Sequence, residues 1–187
     1  MDVIDGIAFH WYSGDHFEAL DCLSKSYPAK ELFFTEGCVE YSCYKDNSSY
    51  ENAQRYVHDL IGDFASGTNA MTDWNLLLDE NGGPNHAGNF CESPVMYDTA
   101  ERRLIIKDSY YAIAYFSRFV KKDAKRILSS SFGAVETVAF KNTNESLVCV
   151  LKNAVDKDID YVLRIGDLTT NVTIGADSIQ SVIINEL

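Results

Sequence analysis

The hydrophobic pattern of the first half of the chain alternates short apolar runs with stretches of helical periodicity. Apolar runs typical of buried strands lie at 6–12, 32–35 and 70–78. Between them, helices are predicted at about 16–26 and from an N-cap at Ser49 to the Ser66-Gly67 pair. Strands joined by helix-length connections predict a parallel sheet, and therefore an α/β fold, for this part of the chain.

The second half changes its pattern from helical to β periodicity. A polar stretch at 79–98 predicts a long functional loop, and a third helix is predicted at 109–120. Because aromatic side chains lie on all sides of that helix, we expect it to be buried. From Lys125 onward, short β-rich runs at 135–140, 147–151, 161–165, 171–174 and 178–184 are typical of an antiparallel sandwich. The predicted domains are an α/β domain at 1–122 and an all-β domain at 123–187.

Composition and charge exclude several classes of protein. The 187 residues carry a net charge of −12, whereas nucleic-acid binding needs clustered Lys and Arg. The sequence has no run of about 18 uncharged apolar residues, so no transmembrane segment is predicted. The five cysteines lack CxxC spacing and the four histidines lack HExxH spacing, so we expect no metal site and no cofactor. The first residues show no signal region.

Candidate chemistry lies at the C-terminal ends of the three predicted strands. Sites form at this end of the strands in parallel α/β folds, so the side chains there are expected to converge. Flat aromatic rings stack on the C–H faces of sugars, while carboxylate and amide groups bind sugar hydroxyls. The combination therefore predicts a saccharide pocket. The groups are His10-Trp11-Tyr12, Thr35-Glu36-Gly37-Cys38 and Asp73-Trp74-Asn75.

Each of these residues also has an ordinary interpretation. Packing is the commoner role of an isolated tryptophan such as Trp11 or Trp74, and a hydrogen-bonded core position is commoner for His10. Glu36 is compatible with a solvated loop acid, and Asp73 with a turn cap. The same placement at three strand ends, rather than any single residue, supports the pocket.

These segments resemble family-30 glycoside hydrolases, in particular the glucosylceramidase (acid β-glucosidase) branch. Their order and spacing are specific, and the resemblance extends over nearly the whole chain. It implies the last three βα units of a (β/α)8 barrel followed by an antiparallel β-sandwich domain. The segments are Gly6–Tyr12 (GIAFHWY), Phe34–Cys38 (FTEGC), Thr72–Leu76 (TDWNL), Gly82–Asn85 (GGPN) and Asn89-Phe90.

The resemblance implies a retaining β-glycoside hydrolase whose nucleophile is Glu36. The substrate of this enzyme would be a β-linked glucoside or a glucosylceramide-like lipid. The resemblance therefore implies a role for the enzyme in carbohydrate or sphingolipid metabolism. A hydrogen bond from Tyr12 would hold Glu36, His10 would lie under the pocket floor, and the loop at 79–98 would form a pocket wall. The implied substrate-binding residues are His10, Trp11, Tyr12, Cys38, Trp74 and Asn89. A β-1,6-glucanase or β-xylosidase of the same family, and a non-catalytic saccharide-binding remnant, are the alternatives.

The chain departs from the family pattern in its length. A (β/α)8 barrel needs about 250 residues, and the family's general acid/base is a glutamate in an Asn-Glu pair on a strand that this sequence does not contain. The pairs Asn144-Glu145 and Asn185-Glu186 lie in the predicted sandwich. The resemblance therefore implies a C-terminal part that is inactive alone and whose partner is the missing N-terminal barrel portion. A signal region would lie in that portion, so the compartment stays open, and a secreted or lysosomal-like parent enzyme is compatible with the sequence.

Overall fold

The computed structural model describes residues 3–130 and 133–185. The chain divides into two compact units, Met1–Ile113 and Ala114–Leu187. Within the described ranges, no helix has both the length and the apolar composition that a membrane crossing requires.

The first unit is an α/β unit. Its elements are β1 (Gly6–His10), α1 (Phe17–Ser26), β2 (Glu31–Glu36), β3 (Val39–Glu40), α2 (Tyr41–Tyr44), α3 (Ser49–Ala65), β4 (Ala70–Met71), β5 (Leu77–Asp79), β6 (Cys91–Glu92), β7 (Val95–Asp98), β8 (Arg103–Ile106) and α4 (Asp108–Ser117), which crosses into the second unit. β1, β2 and β4 form a parallel sheet in that order. This confirms the predicted alternation of parallel strands and helices.

Helix α3 lies where the apolar periodicity predicts it, but its N-cap is Ser48 rather than the predicted Ser49. The Ser48 hydroxyl accepts a hydrogen bond from the Glu51 amide at 3.1 Å, and the Glu51 carboxylate accepts one from the Ser48 amide at 2.7 Å. Together these bonds form a capping box. The Ser49 hydroxyl instead accepts a hydrogen bond from the Asp108 amide at 3.0 Å, which joins the starts of α3 and α4.

The buried face of α3 packs against both the sheet and α1. Tyr56 lies against Trp11, with ring centroids 4.9 Å apart. Helix α1 approaches at Gly62, where a Cβ atom would lie 2.2 Å from the Phe17 ring, so any larger residue would push the two helices apart. The other apolar residues of this face are Ala53, Val57, Leu60 and Ile61.

The predicted third strand and the predicted long loop are both wrong in extent. Only Ala70–Met71 joins the parallel sheet, whereas Leu77–Asp79 pairs with β7 in a separate sheet that also contains β8. The run breaks at Asp73, whose carboxylate accepts the Trp74 amide at 3.0 Å and turns the chain. The stretch at 79–98 is not structureless, because it contains β6, which pairs with β3, and β7.

The predicted third helix is shorter and more exposed than expected. Helix α4 ends at Ser117, and its buried residues include Ala112 and Phe116. Tyr110 and Tyr111 are 43% and 56% exposed. The expectation of a well-buried helix is wrong because a tyrosine hydroxyl can remain in solvent while part of its ring packs.

The second unit is antiparallel throughout its described strands. They are β9 (Lys125–Ile127), β10 (Val135–Lys141), β11 (Leu147–Asn153), β12 (Ile159–Ile165), β13 (Leu168–Ile174) and β14 (Ser178–Ile184). One sheet has the order β14–β11–β10–β9, and β12 pairs with β13 as a hairpin. All five predicted runs are strands, which confirms the predicted antiparallel β class of this part of the chain. Between the sheet and the hairpin lies an open cleft of about 1000 Å³ with apolar residues such as Val135, Leu151 and Ile159 in its lining.

The side chain of Asn153 binds three backbone groups inside the second unit, so we expect Asn153→Ala to destabilise this unit by about 2–4 kcal/mol. The residue is fully buried, and its amide nitrogen donates to the carbonyl oxygens of Lys157 and Gly175 at 2.8 Å each. Its amide oxygen accepts a hydrogen bond from the Val155 amide at 3.1 Å. Truncation would leave these buried groups unpaired.

Urea unfolding followed by circular dichroism measures the loss. The matched control is Asn171→Ala on the exposed face of β13, which should change the free energy of unfolding by less than about 0.5 kcal/mol. Equal effects of the two substitutions would contradict a bridging role for Asn153.

Candidate active site

The ends of the neighbouring strands β1 and β2 bring Tyr12, Glu36 and Cys38 into contact. A register shift between Phe9 and His10 sets His10 opposite Glu36. Beyond it, the Tyr12 hydroxyl donates a hydrogen bond to Glu36 Oε1 at 3.1 Å and lies 3.5 Å from Cys38 Sγ. The hydrogen bond that the resemblance implies between Tyr12 and Glu36 is therefore present.

Tyr12 is protonated at neutral pH and acts there as a hydrogen-bond donor. Partial burial is the largest cause of a pKa far above the usual value of a tyrosine, and the thiol of Cys38 and the carboxylate of Glu36 raise the pKa further. The phenol therefore keeps its proton. Among the described residues, the second oxygen of Glu36, Oε2, has no hydrogen-bond partner, so it is available to a reacting atom.

Two thiols lie in contact beside the carboxylate. Cys38 and Cys91 are 6% and 1% exposed, and their sulfur atoms are 3.2 Å apart. The Cys91 thiol also donates to the carbonyl oxygen of Asn89 at 3.4 Å. Burial raises the pKa of Cys91 to about 12, with the hydrogen bond to Cys38 as the next cause. Cys91 was not singled out from the sequence, because it lies 53 residues from Cys38 in the chain.

Trp11 is buried at the base of this cluster and is only 3% exposed. Trp11 directly follows β1, just beyond the residues of that strand that pair with β2. Its indole packs against the rings of Phe34 and Tyr56, and the Arg55 guanidinium lies 4.6 Å above it. A contact between the Trp11 indole and a sugar stays a prediction. Only the part of the ring that these neighbours leave uncovered is available for that contact.

Trp74 is placed beside the segment that contains Glu36 by its backbone. Its amide donates to the Gly37 carbonyl oxygen at 3.0 Å, and its side chain is 45% exposed. The Trp74 amide also donates to the Asp73 carboxylate. That carboxylate accepts a second hydrogen bond, from the Tyr56 hydroxyl, at 2.9 Å. Burial raises the pKa of Asp73 to about 6, against the lowering effect of these hydrogen bonds. Asp73 is thus a turn cap, as its ordinary interpretation predicts, and also a link to α3.

His10 and Asn89 lie at the margins of the cluster. His10 is exposed, and its ring meets Tyr12 edge to face at 5.8 Å. Asn89 is exposed, and its carbonyl oxygen accepts the side chain of Asn85 as well as the Cys91 thiol. The position of His10 under a pocket floor and the contact of the Asn89 side chain with a sugar stay predictions.

The loop with the sequence Gly82-Gly83-Pro84-Asn85 is fixed against Cys91. Gly82 has a φ of +87°, and a Cβ atom there would lie 2.5 Å from the Cys91 carbonyl oxygen, so glycine is required for this close approach. The Asp79 carboxylate accepts the amides of Asn81 and Gly83 at 2.9 Å each. Of the described residues, no group of three or more His, Cys, Asp or Glu side chains is placed to hold a metal ion.

Parallel strands with a carboxylate and aromatic side chains at their C-terminal ends, followed by an antiparallel β unit, define the class of barrel-and-sandwich glycosidases. Residues 1–120 match the model of the glycosyl hydrolase family 30 TIM-barrel domain, and residues 123–182 match that of the family's beta sandwich domain. The chain belongs to glycosyl hydrolase family 30. This confirms the resemblance and the predicted fold class.

Three known proteins show how much of the family's architecture the chain spans. The mouse lysosomal acid glucosylceramidase is 29% identical over 173 residues, which are 88% of this chain and 34% of that protein. The crystal structure of SrfJ from Salmonella typhimurium has a TM-score of 0.94 and 37% identity, covering all of this chain and 42% of that one. The endo-beta1,6-glucanase BT3312 has a TM-score of 0.84 and 26% identity over the same shares. The chain thus spans about a third of the curated relative.

Proposed function

We propose that this chain carries the nucleophile of a retaining β-glycoside hydrolase of the glucosylceramidase or β-glucosidase type, and that the nucleophile is Glu36. The observation that carries the proposal is the 3.1 Å hydrogen bond from Tyr12 to Glu36 at the ends of two adjacent parallel strands. This bond holds one carboxylate oxygen and leaves the other to react. The predicted domain boundary between 122 and 123 is part of this proposal.

In this mechanism, Glu36 Oε2 attacks the anomeric carbon as the bond from that carbon to the leaving oxygen breaks. A second carboxylic acid protonates the leaving oxygen and then, as the base, takes a proton from the water that cleaves the glycosyl–Glu36 ester. The Tyr12 hydroxyl keeps the carboxylate in one orientation throughout. Orientation of a reacting group contributes strongly to rate because the attack tolerates little angular error.

The second carboxylic acid comes from the missing N-terminal barrel portion. Retaining hydrolysis needs two carboxyl groups about 5 to 5.5 Å apart. The parallel sheet of the described residues has three strands, whereas a closed barrel has eight. We define the completed barrel as this chain joined to an N-terminal barrel portion, taken from the coding sequence upstream of Met1 or from the Salmonella protein. The chain without that portion is inactive.

Covalent labelling tests the nucleophile directly. A 2-deoxy-2-fluoro-β-glucosyl fluoride traps the ester of a retaining enzyme because the 2-fluorine slows both its formation and its hydrolysis, while the fluoride leaving group speeds its formation. We expect the completed barrel to gain one fluoroglucosyl group on the peptide that contains Glu36. Glu31→Gln, at the exposed start of β2, is the matched control and should label normally, whereas Glu36→Gln should not. A label on any other residue would refute the assignment.

A second candidate substrate is a β-1,6-linked glucan. The likeness to the endo-beta1,6-glucanase BT3312 over the whole chain favours it. Hydrolysis of β-1,6-linked gluco-oligosaccharides and of glucosylceramide by the completed barrel, compared at equal concentration, decides between the two. Binding of either without turnover would instead support the non-catalytic saccharide-binding alternative.

A further inference from the structure

The thiols of Cys38 and Cys91 form a buried pair next to the proposed nucleophile. The five cysteines of the chain are all free thiols in this structure, and these two have their sulfur atoms in contact at 3.2 Å. A disulfide bond is about 2.05 Å long, so the sulfurs need to close by roughly 1 Å. Because Cys38 directly precedes β3 and Cys91 belongs to its partner strand β6, the β3–β6 ladder holds the two segments together.

We propose that Cys38 and Cys91 are a redox-modification site, at which a peroxide converts the two thiols into an intramolecular disulfide. The Cys38 sulfur attacks the peroxide and breaks its O–O bond. One oxygen stays on the sulfur as a sulfenic acid, and the other leaves with the proton of the Cys38 thiol as one water. The Cys91 sulfur then attacks the sulfenic sulfur and forms the S–S bond. The sulfenic hydroxyl group leaves with the Cys91 proton as a second water. Two electrons pass from the sulfurs to one peroxide molecule.

The two thiols have different roles in this reaction. Cys38 is the more exposed of the two and also contacts Tyr12 on the side of the site, so a small oxidant reaches Cys38 first. Cys91 is almost completely buried, so the oxidant does not reach its sulfur before that of Cys38. Cys91 therefore acts as the resolving thiol. The exposed thiols of Cys22 and Cys43 have no such partner sulfur in contact among the described residues.

Closure of the disulfide would change the geometry of the proposed nucleophile. It moves Cys38 Sγ toward Cys91 and away from the Tyr12 hydroxyl, which then has Glu36 as its remaining partner. It also shifts the segment at Gly37, whose carbonyl oxygen accepts the Trp74 amide. Displacements of about 1 Å at a catalytic site can cost 100-fold in rate, so we expect the oxidised form to be at least about ten-fold slower. This consequence, unlike the disulfide itself, rests on the proposed function.

Mass spectrometry of the chain tests the disulfide without any activity assay. The chain with Cys22, Cys43 and Cys149 replaced by Ser is treated with hydrogen peroxide, and remaining thiols are alkylated. We expect a loss of two hydrogens, one cross-linked peptide pair that contains residues 38 and 91, and reversal by dithiothreitol. Cys91→Ser in the same background should yield no cross-link and should carry Cys38 on to sulfinic acid. Oxidation of both cysteines without a cross-link, in this background and in the unsubstituted chain, would overturn the proposal.

Activity of the completed barrel separates this inference from the proposed function. A cross-link accompanied by a reversible loss of turnover supports both. A cross-link in a protein that has no turnover even when reduced supports the disulfide and contradicts the proposed function. Turnover that peroxide leaves unchanged in the cross-linked protein overturns the regulatory consequence, and turnover with no cross-link overturns the modification site.

Discussion

Glu36→Gln should lower the turnover of an aryl β-glucoside by the completed barrel by about 10⁴-fold or more. Glutamine keeps the size of the side chain and can still accept the hydrogen bond from Tyr12, but its amide oxygen is too weak a nucleophile to form the glycosyl ester. The control is Glu31→Gln, which lies on the same strand at its opposite, exposed end and should retain full activity. Residual activity within ten-fold of the unsubstituted protein would contradict a nucleophilic Glu36.

Chemical rescue determines which of the two carboxyl roles Glu36 has. In Glu36→Gly, azide can occupy the space of the missing carboxylate and attack the anomeric carbon from the face opposite the leaving group. We expect azide to restore turnover and to produce an α-glucosyl azide. A β-glucosyl azide would show that the nucleophile lies elsewhere and that Glu36 is the acid/base.

Tyr12→Phe should lower kcat by about 10- to 100-fold while the protein stays folded. The substitution removes the hydroxyl that donates to Glu36 at 3.1 Å and leaves the ring, which also meets His10 edge to face. Because Tyr12 is 52% exposed, the loss of folding free energy should be no more than about 1 kcal/mol. The effect should fall on kcat and leave KM within about three-fold, since a misoriented carboxylate slows attack more than it weakens binding.

Tyr27→Phe provides the matched control for the hydroxyl. Tyr27 follows α1 and is 38% exposed, and it precedes the start of β2, at the opposite end of that strand from Glu36. Its substitution should leave kcat unchanged. If Tyr12→Phe raised KM and left kcat intact, Tyr12 would be a sugar-binding residue and not a positioning residue for the nucleophile.

The sequence was informative about elements whose signal is local. The apolar period of α3 follows from hydrogen bonds within a few residues. The alternation of the sandwich strands follows from the local geometry of an extended backbone, so the positions of both could be read from the pattern. The prediction of a third strand was wrong in extent because the apolar run at 70–78 contains no information about which strand it pairs with. Pairing depends on non-local partners, and β5 found its partner in β7 rather than in the parallel sheet.

The candidate site likewise has features that the sequence predicted and features that depend on contacts between distant segments. The sequence by itself determined the family, the parallel strand order and the set of polar residues at the strand ends, because alternating strands and helices place the C-terminal ends of the strands at one edge. Only the tertiary structure decided that Trp11 is buried under Arg55 while Trp74 is exposed, and that Cys91 contacts Cys38 across 53 residues. Those outcomes depend on packing between distant segments, which one strand's own pattern does not specify.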